Sequence, residues 1–488
     1  MYIGIDLGTS GVKLLIVNKF GKVIKSHTET YPIYYSNDNW SEQNPQDWWN
    51  ATIRGLIVML KDFDKTKVKG ISFGGQMHGL VMLDKNNEVI RPAILWNDGR
   101  CDVETTWLNE VVGKEKLIDC TGNIAFAGFT APKILWVKKH EKENFDKIHK
   151  ILLPKDYLAF KFTGVYSTDY SDASGTLYLN VRDKCWSKEM CDLIGITEEQ
   201  LPNLYESYEV VGNITSELAE ELGLSQDVKI IAGAGDNAAA AVGTGAVRSN
   251  TCNVSIGTSG TVFIPVDDYI CDYNVPIHSF VHSTGKFHLM GCILSASLCN
   301  KWWVEDVLGS NHSKEQENTD ELLGKNNVFF LPYLMGERCP HNDTNARGAF
   351  IGLRANTTRQ ELTIAILEGI SFALKECIEI AELKGVHIAK TTLCGGGAKS
   401  KVWTKILANV FNKPIEFVET EQGPGFGAAI LAMVGCGEYE TVEKACKSIV
   451  RVRDEVTPDE EIAKLYQVKF ETYKKIYKQL KPIYDSYN

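Results

Sequence analysis

Three things are missing from these 488 residues, and each absence narrows what the chain can be. No apolar run reaches the roughly 18 residues that would span a bilayer. No two of the 13 cysteines form a C-x-x-C pair; they are scattered, most of them in apolar surroundings like those of Cys292, Cys299 and Cys377. Reduced, buried thiols are therefore expected, not a disulfide framework or a cysteine metal site. A basic surplus is also absent. The formal net charge is −10, which argues against nucleic acid or an anionic membrane as partner, since either needs a basic face. No basic segment precedes the first apolar stretch at Tyr2, so no secretory leader is expected and the location is read as cytoplasmic.

What is there is an ordinary globular composition, 44% hydrophobic and 23% charged. The chain is too long for one core and should divide in two. The opening stretch carries the strongest signal. Ile3 and Ile5 share one face of a predicted strand that Asp6 ends. Gly8, Thr9, Ser10 and Gly11 make a tight turn, and residues 12–17 form the returning strand. Glycines flanking two hydroxyl residues expose backbone N–H groups, which suits phosphate oxygens, although ordinary hairpins share this composition. Asp6 is placed to hold Mg²⁺ through water. Residues 254–264 repeat the layout, with Gly257, Thr258, Ser259 and Gly260 in the turn and Ser255 in place of Asp6. Repetition at half-length points to two related halves, taken here as 1–248 and 249–488.

Further candidates follow in chain order. Asn44 and Pro45 suit the start of a helix carrying Trp49, Ile53, Leu56 and Leu60 on one face. Three strands, a helix and a strand (68–73) form the order of a ribonuclease H-like sheet. Gln76, Met77 and His78 follow the C-terminal end of that strand, where ligands bind in open α/β sheets. Gln76 and His78 suit sugar hydroxyls, or are a satisfied loop pair above core. Trp96, with Asn97, Asp98 and Arg100, offers a sugar-stacking face, or a charged turn with an internal Asp–Arg pair.

Residues 101–227 read as helices and connectors with little chemistry, and the polar stretch 167–176 reads as a surface loop. Asp236, after a predicted strand over 228–232 and two glycines, opens a helix as an N-cap, as a general base, or as both. Asn237 beside it can hold a neighbouring hydroxyl. A core helix is predicted over 359–383, and a helical run over 295–308. Gly395, Gly396 and Gly397 follow a strand and permit close backbone approach to a nucleotide. Glu421 opens a small-residue helix. From 442 onward the chain reads as helical, with Tyr466, Phe470, Tyr473 and Tyr477 forming a docking stripe.

Taken together, Met1-Tyr-Ile-Gly-Ile-Asp-Leu-Gly-Thr-Ser-Gly-Val-Lys13, Gly75-Gln-Met-His-Gly79, Arg91-Pro-Ala-Ile-Leu-Trp-Asn-Asp-Gly-Arg100, Leu153-Pro-Lys-Asp-Tyr157, Gly235-Asp-Asn-Ala-Ala239, Ser255-Ile-Gly-Thr-Ser-Gly260 and Gly395-Gly-Gly-Ala398 resemble the FGGY carbohydrate kinases nearly end to end. That family lies within the sugar kinase, heat-shock and actin superfamily. The resemblance implies two ribonuclease H-like (actin-like ATPase) α/β domains, mixed sheets flanked by helices, with a cleft between. The first would bind the ketose and supply the catalytic base; the second would bind nucleotide.

It also implies ATP and Mg²⁺, with Asp236 as base and Asp6 near the metal. Gln76, Met77, His78, Trp96, Asp236 and Asn237 would contact the sugar. Thr9, Ser10, Lys13, Gly257, Thr258, Gly396, Gly397 and Ser400 would hold the nucleotide. The Met77-His78 pair points to a ketopentose, with D-xylulose as the expected acceptor; other family kinases for ribulose, a deoxy-ketose or glycerol are the alternatives. A nucleotide-gated binding protein of the actin or heat-shock kind is a further one. Closure of the cleft over the sugar is expected. Oligomeric state is left open, with a homodimer allowed, and residues 305–326 match nothing in the family pattern.

Overall fold

The computed structural model describes residues 1–420 and 422–486; Glu421, read above as a helix start, lies outside the described residues. The first sheet contains β1 (Tyr2–Leu7), β2 (Gly11–Val17), β3 (Val23–Thr30), β4 (Gly70–Gly75), β5 (Val210–Asn213), β6 (Lys229–Ile231) and β7 (Ala234–Gly235). The spatial order is β5-β6-β4-β1-β2-β3, with β7 also paired to β4. The second contains β8 (Thr251–Ile256), β9 (Gly260–Val266), β10 (His278–Val281), β11 (Phe287–Ile293), β12 (Lys390–Cys394), β13 (Ile415–Val418) and β14 (Val452–Val456), in the order β10-β11-β9-β8-β12-β13-β14.

Leaving aside the edge strand β10 and the short β7, the two sheets match strand for strand. In each, the hairpin pair is antiparallel and its first strand runs parallel to the next strand inward. The outermost strand of each far edge is again antiparallel. Duplicated mixed sheets flanked by helices are the architecture of the actin-like ATPases.

Alternation in β1 explains how the first sheet is buried. Ile3, Ile5 and Leu7 face helix α1 (Pro45–Leu60), and they share a core with Trp48, Leu56 and Leu60. The Asn44 side chain caps α1 by accepting from the Gln46 N–H, and Pro45 takes the first helical position. Within α1, Trp48 rather than Trp49 is the fully buried tryptophan.

Five further helices position the site: α2 (Asp236–Thr244), α3 (Arg359–Leu383), α4 (Lys401–Phe411), α5 (Pro424–Gly435) and α6 (Glu460–Tyr484). Helix α5 belongs to the second half by sequence yet lies on the first sheet, so close that a Cβ on Gly4 would fall 1.9 Å from the Gly425 carbonyl oxygen. Helices α2 and α5 also touch through backbone: a Cβ on Gly427 would fall 1.8 Å from the Ala239 oxygen. Glycine at these positions lets the halves meet.

Two expectations need correction, and a third is made specific. Residues 167–176 are mostly buried, because Asp169 and Ser171 belong to a polar network described below. Strand β14 interrupts the region read as helical after 442; it is an exposed edge strand whose charged Arg-Asp-Glu run hides its pattern. The stripe on α6 does dock, but within the molecule: Tyr466, Phe470 and Tyr473 are buried, and Phe372 of α3 lies 5.1 Å from the Tyr473 ring.

Candidate active site

Three cavities run in series, the first two between the halves and the third within the second half. The first, of about 260 Å³, is lined by Met77, His78, Trp96, Asp236, Asn237 and Arg338, among others. The second, about 430 Å³, shares Asp236, Asn237 and Ser255 with the first and reaches Gly396. The third, about 810 Å³, shares Gly396 and Lys399 with the second and adds Thr258, Gly397 and Ser400. A small cavity, a junction holding a carboxylate, and a larger cavity floored by glycines follow one another.

The junction is built around Asp236. It occupies the first turn of α2, and Gly235, not Asp236, is the capping residue. Its Oδ1 accepts from the Asn237 N–H (2.7 Å) and the Asn237 Nδ2 (2.9 Å). Among the described residues no hydrogen bond reaches Oδ2. Burial pushes the Asp236 carboxyl up to about 6, against the pull of those two hydrogen bonds. Asp6 is recessed nearby. Burial, and then the Asp236 charge, push it up to about 7, with Lys13 pulling the other way. Lys13 stands directly opposite Asp6 in the hairpin register. Two carboxylates held at raised pKa in one cleft are the kind of pair that acid–base and phosphoryl-transfer sites use.

His78 adopts a left-handed backbone (φ 69°). Its Nδ1 lies 2.8 Å from the Gly175 carbonyl oxygen and therefore carries the hydrogen, which leaves Nε2 as an acceptor. Burial, and then the nearby Lys133 charge, hold the imidazole down to about 3, so it is neutral at physiological pH. Lys133 fixes this loop by donating to the carbonyl oxygens of His78 (2.8 Å) and Gly128 (2.6 Å). Trp96 lines the first cavity and its Nε1 donates to Thr9 Oγ1 (3.0 Å), while the internal Asp98–Arg100 pair of the turn reading forms (2.8 Å).

Five predicted residues line none of the three cavities. Gln76 is buried beneath the first, donating to Gln43 Oε1 (2.9 Å). Gln43 in turn donates to the Thr9 carbonyl oxygen (2.7 Å), so Gln76 supports the first hairpin rather than facing the cavity. Thr9, Ser10, Lys13 and Asp6 sit on or beside that hairpin. Met77, His78, Trp96, Asp236, Asn237 and Gly257 come together at the first cavity, and Thr258, Gly396, Gly397 and Ser400 at the third.

Sequence reasoning missed several participants. Phe126, Phe129, His278, Cys292 and Arg338 complete the first cavity. They come from distant segments and form no local motif. Residues 305–326, left unplaced, wall the third: Glu305, His312 and Gln316 line it, and Ser400 Oγ donates to Gln316 Oε1 (2.6 Å). The stretch read as poor in chemistry holds a buried ion cluster. Lys155 Nζ lies 2.6 Å from Asp156 and 2.8 Å from Asp169, with Asp172 at 3.6 Å. Asp169 accepts from Ser171 Oγ (2.5 Å), which accepts from the Gly235 N–H (3.2 Å) just before Asp236. The acidic run that signalled a surface loop is thus a scaffold under the junction.

Duplicated actin-like sheets with a carboxylate where two cavities of the cleft meet define a phosphotransferase of the sugar-kinase type. Residues 1–243 match the model for the N-terminal domain of the FGGY family of carbohydrate kinases, and residues 252–436 match the model for its C-terminal domain. The chain belongs to the FGGY family of carbohydrate kinases. It is 39% identical over 488 residues to the xylulose kinase of Escherichia coli strain K12, covering 99% of this chain and all of that protein. Among solved structures, a xyloylose kinase from Brucella ovis is 36% identical with a TM-score of 0.95, covering 99% of both chains. A gluconate kinase from Lactobacillus acidophilus is 27% identical with a TM-score of 0.94, covering all of this chain and 99% of that one.

Proposed function

We propose that this protein transfers the γ-phosphoryl group of ATP to the terminal hydroxyl of D-xylulose, giving D-xylulose 5-phosphate, with Asp236 as general base. The observation that carries the reading is the position of Asp236. It lies where the first and second cavities meet, one carboxyl oxygen tied to Asn237 and the other without a hydrogen-bond partner among the described residues. Near-full-length likeness to a xylulose kinase supports the choice of ketose. So does a small cavity with a neutral histidine acceptor and an aromatic wall.

The sugar sits in the first cavity, against Met77, His78, Trp96 and Asn237. Its reacting hydroxyl points to Asp236, which takes the proton as the phosphoryl group transfers in line. The triphosphate lies along the second cavity and the adenosine in the third, against Thr258, Gly396, Gly397 and Ser400. In this reading residues 1–248 bind the ketose and 249–488 the nucleotide. Asp6 and Asp236 form a recessed acid pair faced by Lys13, and the described residues hold no cluster of three or more acidic, histidine or cysteine ligands. That donor set fits a hydrated Mg²⁺, which keeps most of its waters and takes one or two carboxylates. Bound there, Mg²⁺ would offset the charge of the triphosphate. Thirteen free thiols, most of them buried, fit the reducing cytoplasm. The test is a panel of ketoses, pentitols, glycerol and gluconate with coupled ADP detection. D-xylulose should have the highest kcat/KM, and a higher value for any other acceptor would replace it.

A further inference from the structure

The second sheet supplies a ruler along the sugar cavity. Ser255 of β8 stands opposite Thr261 of β9, and Thr261 stands opposite Cys292 of β11. All three line the first cavity. Neighbouring strands lie about 4.8 Å apart, so Ser255 and Cys292 mark points roughly 10 Å from one another. Ser255 also borders the second cavity with Asp236 and Asn237, which makes it the phosphoryl end. Cys292 marks the far end, and beside its thiol lies the guanidinium of Arg338. The carbon chain of a ketopentose covers about 5 Å, with a hydroxyl at each end, and fits between these marks.

Arg338 is a cation without a counter-ion. Its guanidinium lies 5.3 Å from the Phe126 ring centroid, and among the described residues no carboxylate pairs with it. The adjacent Glu337 does not serve. Its Oε1 is taken by the N–H groups of Arg338 (2.7 Å) and Leu294 (3.1 Å), and burial pushes its carboxyl up to about 8, so it is largely neutral. Its polar side-chain partner is the Cys292 sulfur, a weak acceptor, and a fork of N–H donors beside a cavity with no carboxylate paired to it calls for an acceptor oxygen on the ligand.

Building on the ketose-kinase reading above, we propose that Arg338 is a specificity-determining residue that donates to the C2 carbonyl oxygen of the ketose, at the end of the sugar away from Asp236. A ketone oxygen offers two lone pairs in one plane and asks for no donor in return, which matches the guanidinium fork. Arg338 comes from the second half while His78 and Trp96 come from the first, so this contact also joins the halves around the substrate.

The test compares D-xylulose with the two pentitols that differ from it only by a hydroxyl at C2, in the wild type, Arg338→Met and Arg338→Lys. Arg338→Met should raise the ketose KM about 10- to 100-fold, the range for a lost charge-assisted hydrogen bond. The ketose-over-pentitol preference should fall by a similar factor, while kcat at saturating ketose and the KM for ATP hold within about threefold. Arg338→Lys keeps the charge but not the fork and should fall between. An unchanged preference in either soluble variant overturns the proposal. If the wild type phosphorylates D-xylulose and only the preference fails to move, this inference falls alone. If the wild type uses no ketose, the kinase assignment of the cavity falls with it.

Discussion

The turns 8–11 and 257–260 contain the same four residues, Gly-Thr-Ser-Gly, and close differently. In the first, Leu7 pairs with Val12, four residues lie in the loop, and the Gly8 N–H donates to the Gly11 carbonyl oxygen (3.0 Å). In the second, Ile256 pairs with Gly260, three residues lie in the loop, and the Gly257 N–H donates to the Ser259 oxygen (3.0 Å). A one-residue change of register swaps the faces of the returning strand. Asp6 therefore stands opposite Lys13, whereas Ser255 stands opposite Thr261.

Packing decides which turn forms. Gly260 is drawn into its strand where a Cβ would meet Ile293 (2.9 Å) and Leu374 (3.0 Å). Register then keeps Val12 opposite Leu7 in one core and Val262 opposite Val254 in the other. The outcome is a division of labour: one hairpin brings charge to the cleft, the other brings hydroxyls and a wall of the first cavity.

The sharpest break removes the acid that sits between the hairpins. Asp236→Ala should lower kcat by at least about 10²- to 10⁴-fold while ketose binding persists in calorimetry; near wild-type turnover would remove Asp236 from the mechanism. Next, Asp6→Ser gives the first hairpin the residue of the second. It should lower turnover about 10- to 100-fold and raise the Mg²⁺ concentration needed, leaving the ketose KM unchanged. Thr258→Val should raise the KM for ATP several-fold, by about the worth of one hydrogen bond, without affecting ketose binding. Thr9→Val, whose hydroxyl is already engaged by Trp96, should leave the KM for ATP closer to wild type. An equal effect of the two would erase the asymmetry drawn above.

The acid pair also sets a pH response. With Asp236 raised to about 6 and Asp6 to about 7, turnover should fall as the pH drops through this window, because the base must be ionised. Stability runs the opposite way. A carboxyl whose folded pKa is raised favours the folded state below the unfolded value, near 4, and loses that contribution as the pH rises through the folded value. Asp236→Asn should therefore be more stable than wild type at pH 8, by about 1 kcal/mol given the solvent that still reaches the cleft, and the gain should vanish near pH 4. A melting-temperature difference independent of pH would contradict this. The mildest contrast is steric. Gly260→Ala should destabilise by about 1–3 kcal/mol, and Gly257→Ala, whose Cβ would meet nothing nearer than the Ser259 oxygen at 3.7 Å, by under about 1 kcal/mol.

The hairpins, the strand ends at Gln76 and Asp236, and the triple glycine were legible because each is a local pattern with a physical reason for its residues. The half-length repeat showed the duplication, since Gly-Thr-Ser-Gly recurs at a fixed place in each half. What was not legible depends on long-range register or on burial. The different turn lengths cannot be read from identical residues. Arg338 reaches the first cavity from a loop with no local mark of function. Residues 167–176 look like a polar surface loop because Asp, Ser and Thr usually are solvated. Here Lys155, distant in sequence, neutralises part of their charge in the interior. Gln76 shows the converse: a residue well suited to sugar hydroxyls by type satisfies Gln43 instead.

The most direct measurement is a crystal structure with D-xylulose and a non-hydrolysable ATP analogue bound. The account predicts the terminal sugar hydroxyl within about 3 Å of Asp236 Oδ2, with the phosphate tail bracketed by the two glycine turns. A sugar whose hydroxyls all lie beyond hydrogen-bond reach of that oxygen, or a nucleotide bound outside the space between the turns, would contradict it.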